Sequence, residues 1–296
     1  MGMRVSTTGL FHSANRRLMD NLQKLYDVQQ GVSSGKRLLR PGDNPAAFTR
    51  VMGYKSVQSA MEQYERNISS SRGYLAEAES SLQTVSNLLA RGKELAMQGA
   101  SGGLDADMLA GLTEEVGGIY DQVVSLANAR YSGGGIEGAR YLFSGFKSDT
   151  PAFTDEGLYQ GDDGEYKVEV GAGESVTVGL SGARVFQGDV DIFAVLQDLE
   201  NSLAAGDADG IQATLDDLDR SIGQVSKHMS EIGGRVNRLD QTEARMEESR
   251  LTLETLVSEE EDLDLIQAAS ELTYYQTVLE ASVLSTQRIF QTLGIL

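Results

Sequence analysis

The chain has 296 residues, 40% of them hydrophobic, and no Cys, which excludes a compositionally disordered chain, disulfides and thiolate chemistry. Its two histidines, His12 and His228, leave little for a zinc site or a serine triad. The formal net charge of −19 argues against a nucleic-acid partner, because a nucleic-acid-binding protein replaces the counterions of the phosphates with Lys and Arg side chains. No apolar run is long enough to predict a membrane span.

The first predicted element is an amphipathic helix near the N-terminus. Phe11, Leu18, Leu25 and Val32 recur every seven residues, a spacing that places them on one face of a helix. Residues 1–40 hold seven basic side chains against two acidic ones, a net charge of +5. The contrast with the acidic middle of the chain indicates that the two segments have different neighbours.

A long helix follows, beginning near Pro45. Asp43 or Asn44 can cap its first turn, and proline suits that position. Its apolar side chains recur at steps of seven: Tyr54, Met61, Ile68, Leu75, Leu82 and Leu89. This run predicts a single helix of about 75 Å. A shorter helix with the same rhythm is predicted from Leu109 to Leu126.

The middle of the chain has a different pattern. Between Tyr131 and Gly188 glycine is frequent, and apolar residues alternate with charged ones around Val168 and again around Val176. Gly171–Gly173 suits a hairpin connection between these two strands. Residues 149–219 hold seventeen acidic side chains against two basic ones, a net charge of −15. We expect a small β-containing insert with a solvated acidic surface that faces outward.

Helical spacing returns over residues 191–204, and a second long helix is predicted over 207–256. Its seam alternates steps of four and three from Ile211 to Leu239. Residues Glu259–Asp262 then form a predicted solvated acidic turn before the last helix. Leu265, Leu272, Leu279 and Leu293 recur at multiples of seven in that helix, with Val283 and Phe290 beside them.

These elements predict a mainly α fold: a long, coiled-coil-like helical bundle formed by N- and C-terminal arms, with a small β-containing inserted domain. We expect three parts: a terminal coiled-coil domain, a long-helix bundle and a β-rich insert. Their boundaries are 1–44 with 257–296, 45–140 with 205–256, and 141–204.

Burying a large apolar side chain stabilises a protein by about 1.5–3 kcal/mol, so burial of the two terminal seams would contribute a stabilisation comparable with that of a whole domain.

The terminal helices must therefore pair with each other, with neighbouring copies, or with both; an intramolecular bundle is the simpler alternative. The predicted assembly interface comprises Phe11, Leu18, Leu22, Leu25, Val32, Leu265, Leu272, Leu279, Val283, Phe290 and Leu293.

The candidate chemical motifs are weak. Gly133–Gly138 has the glycine spacing of a dinucleotide loop but follows a helix instead of a buried strand. The acidic clusters at Asp162–Glu165 and Asp207–Gly210 lack the spacing of an EF-hand, and a calcium-dependent module stays an alternative. We therefore expect no enzyme activity, no catalytic or metal-binding residues and no cofactor.

Both ends of the chain resemble the bacterial flagellin superfamily. Gln29–Leu38, followed by Asp43–Ala46, is similar to its N-terminal signature. Glu261–Thr273 and Gln276–Ser282 are similar to its C-terminal signature. Three segments resemble the branch of that superfamily found at the hook–filament junction: Met3–Thr7, Tyr141–Lys147 with Thr150–Phe153, and Tyr159–Asp162. Ser285–Phe290 departs from the usual flagellin pattern.

The resemblance implies a structural component of the flagellum. Such a protein is exported to the extracellular flagellum through the type III channel without a cleaved signal peptide. It forms a ring of identical subunits between hook-associated protein 1 and flagellin, and an export chaperone binds its C-terminal helix beforehand. Given this resemblance, our hypothesis is that the two terminal helices form an antiparallel coiled coil that lines the inner layer of the assembly. A short flagellin filament subunit is the main alternative; a coiled-coil scaffold or a type III secreted effector would share the heptads without the paired terminal signatures.

Overall fold

The computed structural model describes residues 7–101, 103–133 and 140–292. The predicted fold class, mainly α with a small β insert, is confirmed. In chain order the elements are α1 (Thr7–Ser34), α2 (Pro45–Ala100), α3 (Ala106–Ala127), β1 (Arg130–Tyr131), β2 (Arg140–Tyr141), β3 (Lys167–Gly171), β4 (Glu174–Thr177), α4 (Gly182–Phe186), α5 (Ile192–Ala205), α6 (Ala208–Glu261) and α7 (Leu265–Thr292).

The chain divides into two compact units. The terminal unit consists of Met1–Ser59 with Glu248–Leu296, and the central unit consists of Ala60–Glu247. The long helices α2 and α6 contribute residues to both units. The three-part division expected from the sequence stays a prediction.

Helix ends follow the side chains available for capping. The Asn44 side chain accepts a hydrogen bond from the Ala47 N–H at 3.1 Å, so Asn44 caps α2 as one of the two predicted candidates. Asp191 accepts from two N–H groups in the first turn of α5. That helix ends at Gly206, whose φ of 62° lies in the left-handed region that favours glycine.

The core of the central unit follows the predicted heptads. Ile68, Leu75, Leu82 and Leu89 of α2 are fully buried. The corresponding seam of α6 is buried as well, with Leu218, Val225, Ile232 and Leu239 at 0% exposure. The periodicity therefore identified the inward faces of both long helices, because a step of seven returns to nearly the same face of an α-helix.

The insert contains the predicted hairpin and an aromatic core that the sequence did not indicate. Strands β3 and β4 are antiparallel, with Val168 opposite Val176. Beside them, Phe143, Phe153, Phe186 and Phe193 pack with ring centroids between 4.8 and 5.8 Å apart. The short helix α4 and the β1–β2 pair were also not predicted. Most of the loop Gly133–Gly138 lies outside the described residues.

The hairpin tip contacts both long helices within the central unit. The backbone carbonyl of Glu169 accepts a hydrogen bond from Asn67 Nδ2 of α2 at 2.7 Å. The Glu174 carboxylate pairs with Arg245 of α6 at 3.2 Å and accepts from Thr242 at 3.4 Å. The hairpin thus lies on the α2–α6 pair, with the Glu174 side chain bound to α6 and the side chains of Lys167 and Glu169 exposed.

Candidate assembly interface

The terminal helices α1 and α7 pack against each other in the terminal unit. Asn21 Nδ2 of α1 donates a hydrogen bond to Ser282 Oγ of α7 at 3.2 Å. Lys24 Nζ, one turn further along α1, lies 5.9 Å from the ring centroid of Tyr275. Residue numbers rise along α1 while those of the contacted residues fall along α7. The two helices are therefore antiparallel, as the sequence analysis proposed.

The predicted interface residues lie along this pair and are incompletely covered by it. Five of them are half-buried: Leu18, Leu25, Val32, Leu272 and Leu279. Three are more exposed: Leu22 at 40%, Val283 at 39% and Leu265 at 59%. Leu293 and the side chains of Phe11 and Phe290 lie outside the described part of the chain. Their role in assembly stays a prediction.

Both terminal helices also expose apolar side chains beyond the predicted interface residues; on α1 these are Met19 and Tyr26, on either side of the predicted Leu22. Met19, Leu22 and Tyr26 line an open groove of about 450 Å³ on α1. On α7 the exposed side chains include Ile266 at 84%, Tyr274 at 63% and Leu284 at 58%. The steps of three and four from residue 19 to 22 to 26 could have identified the α1 stripe. Exposed apolar surface of this kind marks an interaction site or an aggregation hazard.

Where α1 ends and α7 begins, residues from both connecting segments and from α2 meet in a cluster that we call the elbow, comprising residues 35–38, 260–263, Arg50 and Lys55. There the Leu263 N–H donates to the carbonyl of Gly35 at 2.9 Å, and Arg37 N–H donates to the carbonyl of Glu261 at 2.7 Å. These bonds join the end of α1 to the start of α7. A small apolar cluster of Leu38, Ala47, Val51 and Val257 lies in the same unit.

Glu261 is the central side chain of the elbow. The sequence predicts a solvated acidic turn over Glu259–Asp262, and for Glu261 that interpretation is wrong. Its side chain is only 10% exposed and pairs with Lys36 Nζ and Lys55 Nζ, each at 2.8 Å. Glu260 instead forms a more exposed pair with Arg50 at 2.8 Å. The sequence contained no signal for this, because Lys36 and Glu261 are 225 residues apart.

The two lysines determine the charge state of Glu261. Burial by itself raises the pKa of this carboxyl, but hydrogen bonds and attraction from Lys36 and Lys55 outweigh burial and hold the pKa below its ordinary value. A carboxyl whose pKa is lower in the folded than in the unfolded chain stabilises the fold above its unfolded pKa. That contribution is lost as the pH falls through the folded pKa.

We therefore expect Glu261→Gln to lower the stability of the terminal unit at pH 7 and to have little effect in strong acid. The measurement is urea unfolding of wild type and variant from pH 7 down to strong acid at pH 2, followed by hydrogen exchange of residues in the terminal unit. Glu260→Gln is the control, because an exposed ion pair contributes only about 0–1 kcal/mol. A pH-independent difference between wild type and Glu261→Gln would contradict this linkage.

The described residues offer no evidence of a metal site, since residues 7–101, 103–133 and 140–292 contain no group of three or more His, Asp or Glu side chains placed to hold an ion. In that same part of the chain, no helix has the length and apolar character needed to cross a membrane.

Two family models match most of the chain. The bacterial flagellin N-terminal helical region matches residues 5–147, and the bacterial flagellin C-terminal helical region matches residues 215–293. Together the two matches include both terminal helices and all residues of the elbow. The unmatched stretch between them contains the β3–β4 hairpin and the helices α4 and α5.

Individual relatives span nearly the whole chain. It is 26% identical to flagellar hook-associated protein 3 of Escherichia coli strain K12, over 95% of both chains. It is 21% identical to a flagellin of Listeria monocytogenes, over 98% of this chain and 96% of that one. Among solved structures, a flagellar hook-associated protein from Vibrio parahaemolyticus matches with a TM-score of 0.68 and 24% identity, covering 74% of this chain and 100% of that chain.

Proposed function

Because this chain belongs to the bacterial flagellin family, we propose that it is a structural component of the flagellum at the junction between the hook and the flagellin filament. The observation that carries the proposal is the similarity to hook-associated protein 3 of Escherichia coli over 95% of both chains. The proposed role is structural and depends on the surfaces through which subunits pack against each other.

The terminal coiled coil is the proposed assembly element. Its seam side chains remain half-buried or exposed within one chain, so a large apolar surface is available to neighbouring copies. The proposed neighbours are further copies in a ring, hook-associated protein 1 on one side and flagellin on the other. A ring protein between two different partners must offer similar packing surfaces in both directions.

Export is proposed to follow the flagellar type III route to the extracellular flagellum without a cleaved signal peptide. Before export, an export chaperone is proposed to cover α7. The exposed side chains Ile266, Tyr274 and Leu284 support this, since an uncovered apolar face favours aggregation.

A clean deletion of the gene in the source bacterium tests the junction role. We expect hooks without filaments and flagellin monomers in the medium, because flagellin is still exported but has no platform on which to polymerise. The measurements are filament and hook counts by electron microscopy and an immunoblot of the medium. A plasmid copy of the gene must restore filaments.

The second candidate is a filament-forming flagellin, which the similarity to Listeria flagellin over 98% of this chain supports. The same deletion discriminates between the two: loss of filaments without released flagellin would favour the filament subunit. Normal filaments, in a strain with no second copy of the gene, would contradict both.

A further inference from the structure

The seam between α1 and α7 does not by itself specify one register. Leucines recur at seven-residue steps on both helices, at Leu18 and Leu25 of α1 and at Leu272 and Leu279 of α7. A slip of one heptad moves one helix by about 10 Å and again places leucine opposite leucine. Coiled coils usually resolve this ambiguity with a buried polar or charged group that is satisfied in one register.

The polar contacts along the seam are weak determinants of register. The Asn21–Ser282 hydrogen bond joins two neutral side chains that are partly exposed, and Lys24 lies over Tyr275 at the outer limit of a cation–π contact. A slip of one heptad would move Asn21 away from Ser282 and break this bond, but the loss of a neutral hydrogen bond between partly exposed groups costs little free energy. These two contacts therefore favour the observed register only weakly.

The elbow combines main-chain bonds with a buried charged group, which neither of these two seam contacts has. Its main-chain bonds attach Gly35 to Leu263 and Arg37 to Glu261 where α1 ends and α7 begins. The Glu261 carboxylate, 10% exposed, simultaneously contacts Lys36 after α1 and Lys55 in α2. A displacement of α1 by about 10 Å would break the Lys36 contact and leave a desolvated carboxylate with one partner.

We propose that Glu261 is a positioning residue that sets the register of the terminal coiled coil by anchoring its base. The effect of the carboxylate extends along the whole helix pair. Because both helices are regular, fixing the contacts at the elbow also determines which side chains of α1 and α7 face each other further along. The proposal concerns the folded chain alone and stands whether or not the junction role is correct.

Disulfide trapping tests the register directly, because the chain has no Cys of its own. Asn21→Cys with Ser282→Cys reports the observed register, since Asn21 Nδ2 and Ser282 Oγ lie 3.2 Å apart and the two positions face each other across the helix pair. Val28→Cys with Ser282→Cys reports a slip, because Val28 lies one heptad from Asn21, beyond the roughly 7 Å that a disulfide can span. Each pair is placed in the full-length chain and oxidised under identical conditions, and the ratio of the two crosslink yields is measured.

With Glu261 present we expect the observed-register pair to dominate. Glu261→Gln should lower the ratio about tenfold, the change that loss of a charge-assisted hydrogen bond produces. Lys36→Met should lower it in the same direction, whereas the matched control Glu260→Gln, which alters the more exposed pair with Arg50, should change it less than about threefold.

Several results would overturn the proposal. These are an unchanged ratio in Glu261→Gln, an equal change in Glu260→Gln, or loss of both crosslinks together, which would show that Glu261 is needed for pairing and not for register. Hydrogen exchange of α3 and α5 in the central unit checks that each variant is folded. A general loss of protection there would assign Glu261 to overall stability and would equally contradict a register-setting role.

Discussion

Cells whose only copy of this protein carries Leu272→Asp and Leu279→Asp are expected to have hooks without filaments and to release flagellin into the medium. Both leucines are half-buried where α7 packs against α1. Each substitution removes a burial worth about 1.5–3 kcal/mol and places a carboxylate in a partly desolvated seam. Filaments per cell and flagellin in the medium are the two measurements.

The matched control adds the same two charges to the same helix at exposed positions. Gln276→Asp with Gln287→Asp satisfies this, because both glutamines are exposed on α7. We expect this variant to be exported and to support filaments. The medium of a strain lacking flagellin should contain both variants, which separates an export failure from an assembly failure. Normal filaments in the leucine double variant would show that the seam is not an assembly interface.

The largest expected effect on stability comes from Phe153→Ala in the central unit. The Phe153 ring is 2% exposed, and its centroid lies 4.8 Å from that of Phe193, 5.2 Å from that of Tyr159 and 5.4 Å from that of Phe186. Its removal leaves a cavity among three aromatic rings and should lower the free energy of unfolding by about 3–5 kcal/mol. Urea unfolding followed by circular dichroism measures this change.

Phe146→Ala is the comparison, since that ring is 64% exposed in the same insert. We expect it to change the unfolding free energy by no more than about 0.5 kcal/mol. Because a domain is stable by only about 5–15 kcal/mol, Phe153→Ala should also reduce the amount of folded protein in cells. A loss below about 1 kcal/mol for Phe153→Ala would mean that the insert relaxes around the cavity.

The sequence alone determined the elements whose stability depends on a repeated local pattern. The heptads of α2 and α6 identified faces that are buried, since a face buried along its whole length constrains every third or fourth residue. Alternation around Val168 and Val176 identified the hairpin for the equivalent reason in a strand. The terminal signatures identified the family, which the two family models confirm.

Only the tertiary structure decided the contacts between residues far apart in the chain. The aromatic core brings Phe153 to Phe186 and Phe193 from segments with no common period. Likewise Glu261 is indistinguishable from Glu259 and Glu260 in the sequence, yet it alone of the three is buried between Lys36 and Lys55. A local sequence pattern indicates whether one face of a helix or strand is buried. Which residues pack against that face depends on the path of the chain between distant segments. The helices joined at the elbow could therefore be predicted from the sequence, whereas the contacts of the elbow itself could be found only in the tertiary structure.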